Sequence, residues 1–218
     1  MLDQLEFDII ELVLKFPNVN RLTILFWLHE GEWYMFNKAS WYNDYIRTTD
    51  DTSFILLHFL KDFLFQHRLR YMVYFRTAQK TKNKLLKFFC EYKMLRLCRK
   101  FGIEIKTATQ IGDGFVMCHP YNITISPYAI LGKNINIMKG ATIGLSQGKK
   151  PGAPRLGNCV YVGINSTILG GIVIGDDVMI APNTFVNQDI PSHSVVIGNP
   201  CRIIHKEDAT KQYIYYRV

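Results

Sequence analysis

One histidine of this chain stands in a segment whose residue types suit acid–base chemistry on a small molecule. His119 is preceded by Cys118 and followed by Pro120, Tyr121 and Asn122. An imidazole titrates near neutral pH, so it can accept the proton of a hydroxyl group whose own pKa lies far above 7. Such general-base assistance accelerates a reaction about 10²- to 10⁴-fold. The other five histidines have no comparable setting: His29, His58, His67, His193 and His205.

A second segment concentrates positive charge. It runs from Gln147 to Arg155 and contains the adjacent residues Lys149 and Lys150, followed by Pro151-Gly152-Ala153-Pro154. The prolines and glycines of this segment are typical of a loop. The sequence therefore offers two places where function could reside, and the elements that position them come next.

A repeat with a period of six residues begins at Ile105. Its aliphatic positions are Ile105, Ile111, Met117, Ile125, Leu131, Ile137, Ile143, Leu156, Val162, Ile168, Ile174, Ile180 and Val186. The next residue is often small: Gly112, Gly132, Gly144, Gly157, Gly163, Gly175 and Ala181. A helix of period 3.6 cannot keep every sixth residue on one face, and a strand of period 2 does not need a small residue in fixed phase. A coil of three short strands per turn needs both, because aliphatic residues stack inside it and small residues fit its tight turns.

The period is interrupted twice. Eight residues instead of six separate Met117 from Ile125, and the excess contains His119. Thirteen residues separate Ile143 from Leu156, and they contain the basic loop. The regular turns of such a coil have a structural role, so we expect the functional residues at these first and second interruptions.

The N-terminal half has a different composition. Residues 1–100 contain one proline, Pro17, and one glycine, Gly31. Apolar residues there follow helical spacing, as in Leu5, Ile9, Leu12 and Val13, or Leu85, Phe88, Phe89 and Leu95. We therefore predict an α+β protein with an α-helical domain at 1–100, a β-coil at 101–204 and a C-terminal tail at 205–218.

Composition also indicates a compartment. The first six residues are acidic and amphipathic, unlike a secretory signal, and the most apolar window, 54–65, is shorter than the roughly 20 residues of a membrane-spanning helix. The five cysteines show no C-x-x-C spacing, so neither disulfides nor a zinc site is predicted. We expect a cytoplasmic protein without a metal.

A net charge of +8 suits an acidic partner, but no nucleic-acid-binding motif accompanies it. Much of the positive charge lies within 68–100: Arg68, Arg70, Arg76, Lys80, Lys82, Lys84, Lys87, Lys93, Arg96, Arg99 and Lys100. With the nearby aromatic residues Tyr71, Tyr74 and Phe75, this cluster could contact the inner membrane surface or an acidic glycan. It could equally be a solvated helix face.

Two motifs give the coil a family resemblance. Gly-Ala-Thr-Ile-Gly at 140–144 and Gly-Asn-Pro-Cys-Arg-Ile-Ile at 198–204 resemble the hexapeptide-repeat acyltransferases. The resemblance implies a left-handed parallel β-helix and acetyl-CoA as co-substrate. It also implies a homotrimer with its active sites between neighbouring coils, extended to a larger assembly if the helical domain associates.

Within that superfamily the chain looks closest to the serine acetyltransferases and to the O-acetyltransferases of bacterial capsules and exopolysaccharides. The resemblance places the general base of the former at His119. The aspartate that precedes the base in serine acetyltransferases is replaced by Cys118, so Asp113 or a backbone carbonyl would have to orient the imidazole. The resemblance also suggests substrate-binding residues in the two interruptions: Tyr121, Asn122, Lys149 and Lys150.

The second interruption bears on the acceptor. Serine acetyltransferases typically carry Arg-His-Pro there to bind the amino-acid carboxylate, whereas this chain has Gly152-Ala153-Pro154. Because a buried carboxylate needs a cationic partner, this difference favours a sugar hydroxyl of a capsule or exopolysaccharide as the acceptor. A serine O-acetyltransferase and a non-catalytic trimeric scaffold are the alternatives.

For the acetyl-CoA, the resemblance implies a pantetheine arm along small positions of the coil. Backbone N–H groups there could polarise the thioester oxygen, and cations could bind the nucleotide phosphates. The expected contacts are Gly144, Gly163, Ser166, Ala181, Arg202 and Lys206.

Overall fold

The computed structural model describes residues 40–49 and 56–218. The predicted helical pattern at Leu5, Ile9, Leu12 and Val13 lies outside this range. Four helices precede the coil in the described residues: α1 Ser40–Thr49, α2 Leu56–Phe65, α3 His67–Lys80 and α4 Lys84–Phe101. None of the described helices is both long and apolar enough to cross a bilayer.

The coil consists of short strands. In chain order they are β1 Ile103–Ile105, β2 Gln110–Ile111, β3 Val116–Cys118, β4 Ile123–Ile125, β5 Ile130–Leu131, β6 Asn136–Met138, β7 Thr142–Gly144, β8 Arg155–Leu156, β9 Val160–Val162, β10 Thr167–Leu169, β11 Val173–Ile174, β12 Val178–Ile180, β13 Phe185–Val186, β14 Ser194–Ile197 and β15 Arg202–His205. Sheet A has the order β1-β4-β7-β10-β13, sheet B β2-β5-β8-β11 and sheet C β3-β6-β9-β12-β14-β15. All pairs are parallel except β14–β15, so the predicted parallel β-helix is confirmed.

The aliphatic repeat forms the core, as the period of six predicts. In sheet A the paired residues are Ile105, Ile125, Ile143, Ile168 and Val186. In sheet B they are Ile111, Leu131, Leu156 and Ile174, and in sheet C Met117, Ile137, Val162, Ile180 and Val196. All of these side chains are buried. Each column therefore runs along the coil axis without a gap.

One glycine column is required by close backbone packing. A Cβ atom on Gly132 would lie 2.5 Å from the carbonyl oxygen of Gly157 in the next turn. We expect Gly132→Ala to lower the free energy of unfolding by about 1–3 kcal/mol, because the backbone must move to admit the methyl group. Urea unfolding measures this change.

The matched control lies in the second interruption. A Cβ on Gly148 would meet only the Ser146 hydroxyl, at 3.4 Å. Gly148→Ala should stay within about 0.5 kcal/mol of the wild-type protein. Equal effects of the two substitutions would contradict the packing argument.

Helix α3 covers the open N-terminal end of the coil. The Tyr71 hydroxyl donates to the Ile105 carbonyl (2.8 Å) and accepts from the Ile105 N–H (3.1 Å). The Gln79 amide donates to the carbonyls of Thr107 and Thr109. Phe75 is completely buried in the same core as the coil aliphatics. The unpaired first turn of the solenoid is thus capped by a helix rather than left as an exposed edge.

One member of the predicted basic cluster is not at the surface. Arg76 is 4% exposed; its guanidinium pairs with Asp44 and donates to the carbonyls of Ile111 and Gly112. Its charge is therefore used inside the protein, and the prediction that it contacts a membrane or glycan is wrong. Other members are exposed on α4 and the turn before it: Lys82, Lys84, Lys87, Arg96, Arg99 and Lys100.

Candidate active site

His119 lies at the corner where sheet C passes into sheet A. It follows β3 directly, its side chain is exposed, and its backbone has a positive φ of 51°. A non-glycine residue in the left-handed region is uncommon. The Tyr121 N–H donates to the His119 carbonyl at 2.8 Å, which closes a tight turn around Pro120. The two extra residues of the first interruption thus form a bulge that carries the histidine outward.

The regular turns at this corner explain why the bulge is exceptional. One residue per turn has a positive φ, and these residues are Gly102, Asn122, Gly140, Asn165 and Asn183. Each of the last four donates its N–H to the preceding turn. Asn122 therefore belongs to the regular ladder, whereas His119 is an additional left-handed residue found only in the interrupted turn.

The predicted substrate residue Tyr121 packs partly against the helical cap. Its ring is 47% exposed and forms edge contacts with Phe101 (5.7 Å) and His67 (5.2 Å). Sequence reasoning did not connect His67 with this site, because no local motif marks a helix residue that contacts the coil 54 positions later.

A column of positions at the C-terminal ends of the sheet C strands begins beside the histidine. Cys118 pairs with Met138, and the register of the next strands continues this column through Gly163, Ala181 and Ile197. Five layers at a strand spacing of about 4.8 Å give the column a length of about 19 Å.

The two predicted cofactor cations lie at opposite ends of β15, and only Arg202 is at the far end of that column. Arg202 pairs with Ile197 in the β14–β15 hairpin, and its side chain is exposed. Lys206, also exposed, follows the hairpin and donates its N–H to the His193 carbonyl.

The remaining predicted cofactor contacts have other surroundings. Ser166 is completely buried, and its hydroxyl donates to the Ala181 carbonyl inside the coil at 2.9 Å, so this side chain does not reach the surface. Gly144 belongs to sheet A, where a Cβ would lie 2.5 Å from Leu169. Gly163 is packed against the backbone of Ile180 and Ala181, which explains the glycine by close packing.

The second interruption folds back on the coil at a different corner, where sheet A passes into sheet B. Ser146 and Gly152 exchange two backbone hydrogen bonds of 3.0 Å. Lys150 pairs with Asp189 at 2.5 Å, whereas Lys149 is exposed. Within one chain, the basic loop and His119 therefore lie at opposite ends of the sheet A strands.

Asp113 does not approach His119. It precedes β3 at the corner between sheets B and C, and His119 follows the same strand at the other end. Its carboxylate accepts a hydrogen bond of 3.3 Å from the Asn43 amide. Within the described residues no hydrogen bond joins the His119 imidazole to a carboxylate. The structure thus separates the two residues that were predicted to act together.

His193 occupies a structural position. It continues a second left-handed ladder, formed by Gly114, Asn134, Cys159 and Asp177, and its imidazole Nδ1 lies 3.0 Å from Asp177. Hydrogen bonds from Thr210 and His193 hold the pKa of the Asp177 carboxyl below its usual range, against the opposing effect of burial. Across the described residues, no group of three or more His, Cys, Asp and Glu side chains could hold a metal ion.

Comparison with known proteins identifies similar chains. Residues 153–188 match the family described as bacterial transferase hexapeptide (six repeats). Serine acetyltransferase 2 of Arabidopsis thaliana is 36% identical over 152 residues, which are 64% of this chain and 47% of that protein. Serine acetyltransferase of Helicobacter pylori is 37% identical over 108 residues, or 49% of this chain and 63% of that protein. The chain thus spans about half the length of the first relative and less than two thirds of the second.

Solved structures agree in fold. The serine acetyltransferase of Neisseria gonorrhoeae in complex with serine aligns with a TM-score of 0.62 and 26% identity, covering 78% of this chain and 69% of that one. A serine acetyltransferase in complex with CoA aligns with a TM-score of 0.60 and 22% identity, covering 76% and 68%.

These relatives overturn one prediction. The sequence favoured a sugar of a capsule or exopolysaccharide as acceptor, but the similar curated proteins are serine acetyltransferases. The prediction rested on the absence of Arg-His before Pro154, and it assumed that a carboxylate partner could come from no other position. Lys149 is exposed in the same loop. Neither the glycan acceptor nor the membrane contact is supported by the relatives.

Proposed function

We propose that this chain, a member of the hexapeptide-repeat β-helix acyltransferases, transfers an acetyl group from acetyl-CoA to the hydroxyl of L-serine. One observation carries the proposal: His119 stands in a bulge at the head of a column that includes Gly163 and Ala181 and ends beside Arg202. A base at one end and a cation at the other suit a long, thin thioester whose nucleotide phosphates are anionic.

His119 acts as the general base. It removes the proton of the serine hydroxyl as the oxygen attacks the thioester carbonyl carbon, and the imidazolium returns that proton to the CoA sulfur when the C–S bond breaks. Bringing both substrates together beside the base supplies much of the rate by proximity. Neither a covalent enzyme intermediate nor a metal is needed for this sequence of steps.

The pantetheine arm lies along the column from Cys118 to Ile197. Gly163 and Ala181 leave little side chain between the arm and the backbone. Arg202 binds the phosphates at the far end, whereas Lys206 lies at the other end of β15, beside His193. Ser166 contributes only to the core, because its hydroxyl is used inside the coil.

The serine carboxylate needs a cation, and Lys149 is our candidate. Lys149 follows a strand of sheet A, whereas His119 precedes one, so the two residues of one chain lie at opposite ends of the sheet A strands. The basic loop that reaches His119 of one coil must therefore come from a neighbouring coil. A homotrimer satisfies this requirement, because each coil then presents His119 to one neighbour and its basic loop to the other.

Arg202→Gln tests the position of the nucleotide. A charge-assisted hydrogen bond to a phosphate contributes about 1.5–3 kcal/mol, so we expect the KM for acetyl-CoA to rise about tenfold or more with kcat little changed. Initial rates against acetyl-CoA concentration measure this. Lys61→Gln, an exposed charge on α2, is the control and should leave the KM unchanged.

Release of free thiol from acetyl-CoA, with and without L-serine, tests the proposed function itself. Serine-dependent thiol and O-acetylserine by mass spectrometry are expected, with sedimentation at the mass of a trimer. A non-catalytic scaffold predicts no affinity for CoA, and a thermal-shift titration detects this, because a ligand at 100 times its Kd stabilises by about 2.7 kcal/mol. Binding of CoA without serine-dependent turnover would rule out serine as the acceptor.

A further inference from the structure

The bulge that carries His119 needs support beyond the coil. Regular turns at this corner are held by the ladder of inter-turn hydrogen bonds, which Asn122 continues. His119 and Pro120 are the two added residues, and proline has no N–H with which to join a ladder. The left-handed backbone at His119 persists only if its surroundings hold it there.

One side chain of the helical cap meets the bulge directly. His67, the first residue of α3, meets the bulge at Pro120, whose carbonyl acts to raise the pKa of the imidazole against the effect of burial. The Nε2 atom of His67 is buried and without a hydrogen-bond partner. The added proline thus lies against a helix that is itself fixed to the coil through Tyr71.

The His67 ring is also clamped between aromatic residues. It stacks on Phe101 with ring centroids 3.9 Å apart and planes inclined by 14°. Its edge contact with Tyr121 places it against the far side of the same bulge. Phe101 and Tyr121 touch each other as well, so three rings from α3, α4 and the bulge form one cluster.

The charges around His67 favour a neutral imidazole. Burial lowers its pKa, and the neighbouring cations Arg70, Arg68 and Lys100 lower it further, while the Pro120 carbonyl opposes them.

We propose that His67 is a positioning residue for His119, which it serves by holding the first interruption in the shape that presents the base. The proposal rests on the proposed function in taking His119 as the base. His67 touches neither substrate; it acts through the Pro120 carbonyl and the Tyr121 ring.

Two substitutions separate its contacts. His67→Phe keeps a ring to stack on Phe101 but removes the ring nitrogens beside Pro120, and His67→Asn keeps a polar N–H group but removes the ring. Because a displacement of about 1 Å can cost 10²-fold, we expect kcat to fall about 10- to 100-fold in His67→Phe, with both KM values within about twofold. His67→Asn should be intermediate, and His58→Asn, at an exposed histidine of α2, should match the wild-type enzyme.

An NMR measurement reports on the surroundings of the His119 imidazole without catalytic turnover. In protein labelled at histidine ¹³Cε1, the His119 signal is assigned by its loss in His119→Asn. That signal should shift in His67→Phe, shift less in His67→Asn and stay in place in His58→Asn.

The outcomes distinguish the two proposals. If the wild-type protein shows no serine-dependent turnover, the proposed function fails and the His119 signal alone decides the role of His67. A folded His67→Phe with wild-type kcat and an unshifted His119 signal overturns the positioning role. If His67→Phe does not fold, His67→Asn decides: reduced kcat at unchanged KM with a shifted signal supports the role, and wild-type values for both overturn it.

Discussion

Replacing His119 by asparagine should lower the kcat of serine-dependent acetyl transfer about 10²- to 10⁴-fold, with the KM values within about twofold. The amide cannot accept the serine proton, yet it is close in size to imidazole and tolerates the left-handed backbone that His119 adopts. The loss should therefore fall on the chemical step rather than on folding or binding. Thiol release at saturating substrates measures kcat, and the melting temperature shows whether the fold is kept.

Two results would contradict this role for His119. One is an unchanged kcat, which would move the base elsewhere. The other is an equal loss in His58→Asn, which would mean that the assay responds to histidine substitution in general. A raised KM for acetyl-CoA with unchanged kcat would instead make His119 a binding residue.

The coil could be predicted from the sequence because its structure repeats at short range. Each turn places an aliphatic residue every six positions, and all thirteen predicted positions are buried and paired as the period requires. The interruptions were also visible, because an inserted residue shifts the phase of everything after it. The period could not reveal whether a small side chain points into the core or toward the surface. Ser166 has the small size expected of a surface groove, but its hydroxyl points into the core.

Contacts between distant parts of the chain were not predictable. Arg76 belongs to a run of basic residues, and its sequence neighbours give no sign that Asp44 lies opposite it. His67 likewise meets Pro120 only because α3 lies across the end of the coil. Asp113 is close to His119 in sequence, but β3 extends between them and separates the two side chains.

The acceptor prediction failed for a related reason. The prediction read one loop position, but a binding site is defined by which groups meet in space. In the proposed trimer the loop and the base come from different chains, so the cation for the serine carboxylate need not stand directly before Pro154.

The ion pair that joins α1, α3 and the coil should carry a large share of the stability. Asp44 is 2% exposed and accepts hydrogen bonds from Arg76 at 2.9 and 3.2 Å and from the Phe115 N–H at 2.8 Å. Burial raises the pKa of the Asp44 carboxyl, and the Arg76 guanidinium opposes that rise. Breaking a buried pair by removing one partner leaves the other charge uncompensated, which costs about 3–5 kcal/mol.

Asp44→Asn is therefore expected to lower the free energy of unfolding by about 3–5 kcal/mol, measured by urea titration at fixed protein concentration because subunit association also contributes. Asp44→Leu combined with Arg76→Met should lose less than the sum of the single changes, since no buried charge then remains. Lys150→Gln breaks an exposed pair with Asp189 and should leave the unfolding midpoint unchanged. If Asp44→Asn is no more damaging than Lys150→Gln, the cap is held by its apolar contacts, above all Phe75 and Tyr71, and the buried charges only fix how α3 is oriented on the first turn.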